Sequence, residues 1–216
     1  MVVVGLAAWS IYAARKRREE LSRLAKSRGL HFDPGRNYGY DAEFPGFSCL
    51  QRGSRRYAYN ILSGEWDDRQ FLGFDYHYAT HSTDSKGRRK THHHHFSAVI
   101  LGSDVPLEPL FLRPEGFFDK LKEFVGFDDI DFESTEFSKA FYVKAADRKW
   151  AFDVIHQRTM EFLLASPRFH MEFGERWVIA HDRSRFSVEE FSRATDVIRG
   201  VLDRLPDYIK KQQRGD

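Results

Sequence analysis

A chain of 216 residues, 41% hydrophobic and 31% charged, is sized for one domain or one domain with an appendage, and its composition excludes gross disorder. A single cysteine, Cys49, excludes an intrachain disulfide framework and a zinc site built from cysteines. The net charge of +2 hides an asymmetry: Arg15 to Arg36 holds eight basic and three acidic side chains, a net +5, which leaves −3 for residues 37–216. Nucleic-acid binding needs a basic patch on the folded domain, and this mildly acidic body argues against a nucleic-acid partner.

Met1 to Ala14 reads MVVVGLAAWSIYAA, without one charged side chain, and Arg15, Lys16, Arg17 and Arg18 follow at once. An apolar run closed by a basic cluster is the pattern of a membrane segment whose following side is cytoplasmic, with Trp9 and Tyr12 placed for the interface. A signal peptide would carry its charges ahead of the apolar run. A soluble amphipathic helix would need a polar face, which Val2 to Trp9 lack. The run reaches only about 20 Å against a hydrocarbon core of about 30 Å. A span therefore requires a thinned bilayer with snorkelling arginines, or a chain whose start lies upstream. The expectation is a membrane-anchoring or transmembrane segment over 1–14 and a basic juxtamembrane helix over 15–30. Arg15, Lys16, Arg17 and Arg18 would meet the lipid surface, each worth about 1 kcal/mol near anionic headgroups. Leu21, Leu24, Ala25 and Arg28 share one stripe of that helix, and Gly29 is its stop.

Residues 31–216 read as one soluble α+β domain. His31 to Gly35 is a turn cluster. Strands are expected over Phe47–Gln51 (holding Cys49), Arg56–Leu62, Arg69–Thr80 and His93–Leu101, with loops at Ser63–Asp68 and Ser82–Thr91. Sequential antiparallel strands with short loops make a meander. Leu107–Leu112 adds a strand. Pro114 opens a helix carrying Phe117, Phe118, Leu121, Phe124 and Val125. An acidic turn at Asp128–Glu133 precedes a strand over Phe137–Lys144. Asp147 caps a helix running from Trp150 to Leu163, closed by Pro167. Phe169–Phe173 and Arg176–Ala180 form a hairpin about Gly174-Glu175. Ser187 and Glu190 make a capping box for a helix with Phe191, Ala194, Ile198, Val201, Leu202 and Leu205 on one face, ended at Pro206. Helices following strands place the fold in the α+β class, packed on an antiparallel sheet.

The chemistry motifs are few. There is no phosphate-binding glycine loop, no Gly-x-Ser-x-Gly elbow and no His-Glu-x-x-His. Asp128, Asp129 and Asp131 lack the glycine and final glutamate of a calcium loop. Cys49 reads as a small buried hydrophobe. The unusual feature is histidine: His77, His81 and His92 to His95 bracket one hairpin. Antiparallel partners have residue numbers of constant sum, and a sum of 172 pairs Leu72 with Ile100, Phe74 with Ala98 and Tyr76 with Phe96 on one apolar face. The same register puts Asp75, His77, His93 and His95 on the other face, with His92 and His94 opposite. Imidazoles with a carboxylate are a ligand set for a transition metal, and these four residues are the candidate metal ligands. The alternative is a solvated hairpin end.

Arg28-Gly29-Leu30, Gly73-Phe74-Asp75-Tyr76-His77-Tyr78, Leu112-Arg113-Pro114-Glu115, Asp128 to Phe132 and Phe137-Ser138-Lys139-Ala140-Phe141 together resemble uncharacterised bacterial proteins with an N-terminal membrane helix and a soluble α+β domain. The resemblance implies membrane anchorage and supplies no catalytic residue and no cofactor. The expectation is thus a non-enzymatic cytoplasmic domain tethered to the membrane. Its partners are the lipid bilayer, through the N-terminal segment, and a further protein. The rival is a metal-dependent enzyme at Asp75, His77, His93 and His95.

Overall fold

The computed structural model describes residues 2–116 and 127–212. The helix expected over Phe117 to Val125 lies outside them. The N-terminal helix is one continuous rod, α1 (Val2–Arg28), which spans the expected membrane-anchoring segment and the basic helix after it. Gly29 ends it with φ at +68°, and Leu30 N–H closes back on the Ala25 carbonyl at 2.9 Å. That is the left-handed stop only glycine adopts without penalty.

The sheet begins with four antiparallel strands in sequence order: β1 (His31–Asn37), β2 (Ser54–Trp66), β3 (Arg69–Thr83) and β4 (Arg89–Pro114). The expected turn at His31–Gly35 is instead the edge strand β1, bulged between Asp33 and Arg36 where Pro34 has no amide to donate. The loop expected over Ser63–Asp68 contracts to Asp67-Asp68, both at positive φ, which suits the twist of a tight hairpin. The β3–β4 register is the one of constant sum: Tyr76 faces Phe96, His77 faces His95 and Ala79 faces His93.

β4 is long enough to serve three neighbours. Leu101 pairs with Phe71 and with Val178, and Leu110 pairs with Ala145 and with Phe173. One edge of β4 therefore carries β3 and then β6 (Phe141–Ala145), while the other carries β7 (His170–His181). Leu107–Leu112 belongs to β4 itself, and Pro114 is its last residue rather than the start of a helix. The two strands expected about Gly174-Glu175 do not pair with each other: both halves of β7 pair with β4, with irregular register. β7 bends sharply between those halves, with Glu175 at φ +43°, so that its first and last residues, His170 and His181, stack 5.0 Å apart.

The strand expected over Phe137–Lys144 is half helix. Ser134 accepts from Phe137 N–H and nucleates α3 (Thr135–Ala140), and only Phe141 onward joins the sheet. Asp128–Asp129 forms a two-residue strand, β5, beside β6. The helix expected from Trp150 to Leu163 breaks at Ile155-His156 into α4 (Arg148–Val154), capped by Asp147, and α5 (Gln157–Leu164). The Ser187–Glu190 capping box opens α6 (Val188–Asp203) as expected. Pro206 separates α6 from α7 (Asp207–Gln212).

Two cores flank the sheet. The larger lies under the helices and joins Phe71, Val99, Leu101, Val178 and Ala180 to Leu21, Leu24 and Ala25 of α1 and to Phe191, Ile198 and Leu202 of α6. The smaller, on the opposite face, packs Phe74, Tyr76, Phe96, Ala98 and Ile100 under α2 (Tyr40–Glu43) and a 3-10 turn at Ser48–Leu50. Cys49 sits in that turn, not in the expected strand; it is buried, as a small hydrophobe should be. The result is a mixed α+β fold on an antiparallel sheet.

Candidate functional site

The basic collar divides. Arg15, Lys16 and Arg18 are exposed, whereas Arg17 turns inward onto the helix-covered face of the sheet. Its Nε and Nη2 donate to the two oxygens of Asp75 at 2.7 and 2.5 Å, and Nη1 donates to the Phe186 carbonyl at 2.8 Å. Asp75 is fully buried. It also accepts from Ser97 Oγ at 2.6 Å and from Asn60 Nδ2 at 2.9 Å. Asn60 reaches it because β2 bulges there, with Asn60 at φ +51°. Burial opposes the charge on Arg17, but the Asp75 carboxylate outweighs it and raises the guanidinium above its ordinary value. Burial, and then Asp75, push the Tyr59 phenol up to about 12. Arg17, expected at a lipid surface with its three neighbours, is instead a lock between α1 and the body.

The two turns next to the lock are bare. From Trp9 to Lys16 every residue is exposed, with Trp9, Ile11 and Tyr12 all more than half accessible. Exposure on every side of two consecutive turns means this stretch projects away from the body. Among the described residues no helix is long and apolar enough to cross a membrane.

The hairpin register brings His77, His93 and His95 together on the face of Asp75. The His77 ring lies 5.2 Å from that of His93 and 4.9 Å from that of His95. His77 Nδ1 is 2.9 Å from the Arg55 carbonyl, which can only accept, so Nδ1 carries the proton. Nε2 then accepts from His93 Nδ1 at 2.9 Å. His95 Nδ1 meets the Tyr59 hydroxyl at 3.0 Å. Burial holds His77 below its ordinary value, which favours the neutral ring this chain of bonds needs. Both oxygens of Asp75 and both nitrogens of His77 thus already have protein partners.

A second cluster lies across the sheet. Glu172 of β7 is buried and accepts from Ser48 N–H at 2.6 Å, Ser48 Oγ at 2.9 Å and Cys49 N–H at 3.2 Å. His181 Nε2 approaches its Oε1 at 3.5 Å, too long for a hydrogen bond. Burial alone would raise the Glu172 carboxyl, but His181 and Ser48 bring it below its ordinary value. Burial, reinforced by Glu172, pushes the Cys49 thiol well up. His170 stacks on His181 with ring centroids 5.0 Å apart, and burial brings it down to about 3, a neutral imidazole. Cys49, His170 and His181 line a cavity of about 520 Å³ where the two ends of β7 come together, with Arg52, Arg183 and His93 to His95.

This cluster was not among the sequence candidates. Alternation within His170-Met171-Glu172 puts the imidazole and the carboxylate on one face. That alternation was legible in the strand expected over Phe169–Phe173, but the closeness of His181 was not. Ser48 and Cys49 are brought in by a turn more than 120 residues away.

No family model matches the chain, and no curated protein sequence matches it. The crystal structure of the mycobacterial trehalose monomycolate transport factor A, TtfA, has a similar fold: TM-score 0.64 at 12% identity, over 88% of this chain and 96% of that one. At that identity the likeness concerns the fold.

Proposed function

We propose that this chain is a non-enzymatic binding domain tethered to a membrane by the first half of α1, with its body on the cytoplasmic side and a protein as its further partner. The observation that carries the reading is the bare stretch Trp9–Lys16 on a helix whose next turn is fixed to the body by Arg17 and Asp75. An apolar stretch left unburied by its own domain calls for lipid or another apolar surface. The exposed Arg15, Lys16 and Arg18 suit the anionic headgroups at its base. A fold shared with a protein described as a transport factor is in keeping with a membrane-associated role.

Flotation of the full chain with lipid vesicles tests the tether. The wild type should float with vesicles containing an anionic lipid. W9E/I11E should stay at the bottom, and R15E/K16E/R18E should float only weakly. Equal flotation of W9E/I11E and wild type, or no flotation of either, would sink the proposal. Reporter fusions at the C-terminus test sidedness: activity of only a reporter that works outside the cytoplasm would reverse it.

The second reading, a metal-dependent enzyme at Asp75, His77, His93 and His95, draws on the three clustered imidazoles. It requires Asp75 to exchange Arg17 for a metal ion. Arg17→Gln should then raise metal affinity, and unchanged affinity would dismiss the reading.

A further inference from the structure

We propose that Cys49, Glu172 and His181 form a binding site for a zinc-class transition metal, on the face of the sheet opposite Asp75 and His77. The ligand atoms of these three residues all lie within 4.8 Å of one another, and all three residues are buried. Ligand atoms around a tetrahedral zinc ion stand about 3.3–3.8 Å apart, given bonds of about 2.0–2.3 Å. Closing the set therefore takes side-chain adjustments of the order of an ångström. Among the described residues it is the one triad of cysteine, histidine and carboxylate side chains that converges this closely.

A second observation is independent of the spacing. His181 is only 3% exposed, yet its Nε2 is buried without a hydrogen-bond partner, 3.5 Å from Glu172 Oε1. Buried polar atoms are nearly always satisfied, so an orphan beside a carboxylate and a thiol marks the place of a partner that the protein itself does not supply. A thiolate, an imidazole and a carboxylate together match the borderline-soft preference of zinc and match calcium or magnesium poorly.

The surroundings are built as a ligand's supporting shell. Ser48 N–H, Ser48 Oγ and Cys49 N–H hold the Glu172 carboxylate in place. That is the kind of outer partner that orients a metal-binding carboxylate. Cys49 and His181 face the cavity of about 520 Å³. A fourth coordination position would thus open toward it, available to water or to a small ligand.

Cobalt(II) is the probe, added to the purified full chain. Because Cys49 is the sole thiol, a near-ultraviolet thiolate-to-cobalt charge-transfer band identifies it as a ligand even if no variant folds. We expect one cobalt per chain, that band, and visible bands of four-coordinate intensity, all displaced by zinc. Glu172→Gln and His181→Gln should each weaken binding by more than about 100-fold, the most that loss of an outer-shell partner usually costs. Cys49→Ser should abolish the charge-transfer band. His77→Ala, on the other face and outside the cavity lining, should leave the band intact. Absence of stoichiometric binding, binding without a charge-transfer band, or loss of the band in His77→Ala would each overturn the site. None of these outcomes bears on vesicle flotation, so the tether and the metal site stand or fall separately.

Discussion

Asp75 and Glu172 are buried carboxylates on opposite faces of one sheet, and the protein satisfies them in different ways. Asp75 meets a permanent cation, Arg17, in a two-pronged pair completed by Asn60 and Ser97. Glu172 meets two backbone amides, a hydroxyl and an imidazole at longer range. The first arrangement is closed: each oxygen accepts two hydrogen bonds where Oε2 of Glu172 accepts one, the partner cannot lose its charge, and the pair couples α1 to the body. The second is open toward a cavity and leaves an imidazole nitrogen unsatisfied. A buried charge can therefore act as a fastener on one face and as a receptor on the other. The difference lies in whether the counter-charge is covalently part of the chain.

The sharpest way to break the comparison is to cut the fastener. Arg17→Ala leaves Asp75 buried and unpaired and should cost about 3–5 kcal/mol. Urea denaturation would read the loss, and hydrogen exchange should show the first half of α1 detaching. Replacing both partners together (R17M/D75L) should recover much of that loss, because a well-packed apolar pair avoids the desolvation of two charges. A double variant as unstable as Arg17→Ala would mean that the whole polar knot, rather than its charge balance, matters.

The layer over the fastener should be nearly as sensitive. Leu202 is 2% exposed in the core beneath α6, and Leu202→Ala should cost about 2–5 kcal/mol. A loss under about 0.5 kcal/mol would place α6 on the surface. Ser187→Ala removes one half of the capping box on the same helix and should cost about 1 kcal/mol by thermal or urea melts.

The smallest expected effect is the pH response of the hairpin next to Asp75. His77 is held below its ordinary value by burial first, with His93, Arg36 and His94 adding repulsion against the Arg55 carbonyl bond. The unfolded chain thus takes up this proton more readily than the folded one. The stabilising contribution is whole above about pH 6.5 and declines as pH falls through the folded value. Amide exchange at residues 92–95 should quicken in that window, and His77→Gln should flatten the response. A hairpin that loosens as pH rises would contradict the assignment.

Local patterning reached far into this fold. Two-residue alternation was enough to give β2, β3 and the start of β4, and burial of one apolar face fixed their register, since a one-residue slip would have set Tyr76 beside His95. The capping box, the Gly29 stop and the Pro206 break were equally legible, because each is decided by a few neighbouring residues. The errors fell where a distant partner overrode local preference. Gly174-Glu175 bends the chain as a turn signal should, but each half of β7 found its partner in β4 rather than in the other half. Pro34 is a turn residue, yet the edge of the sheet tolerates it as strand.

The candidate sites divide along the same line. The sequence by itself determined that the N-terminal segment is apolar and collared by basic residues, and that His77, His93 and His95 share a face with Asp75. Both follow from order along the chain and the period of a strand. Only the tertiary structure decided that Arg17 leaves the collar to neutralise Asp75, 58 residues away. It alone decided that Ser48 and Cys49 meet Glu172 and His181. Charge neutralisation and ligand convergence depend on distances across the sheet, and those are set by packing of the whole domain rather than by any run of neighbouring residues.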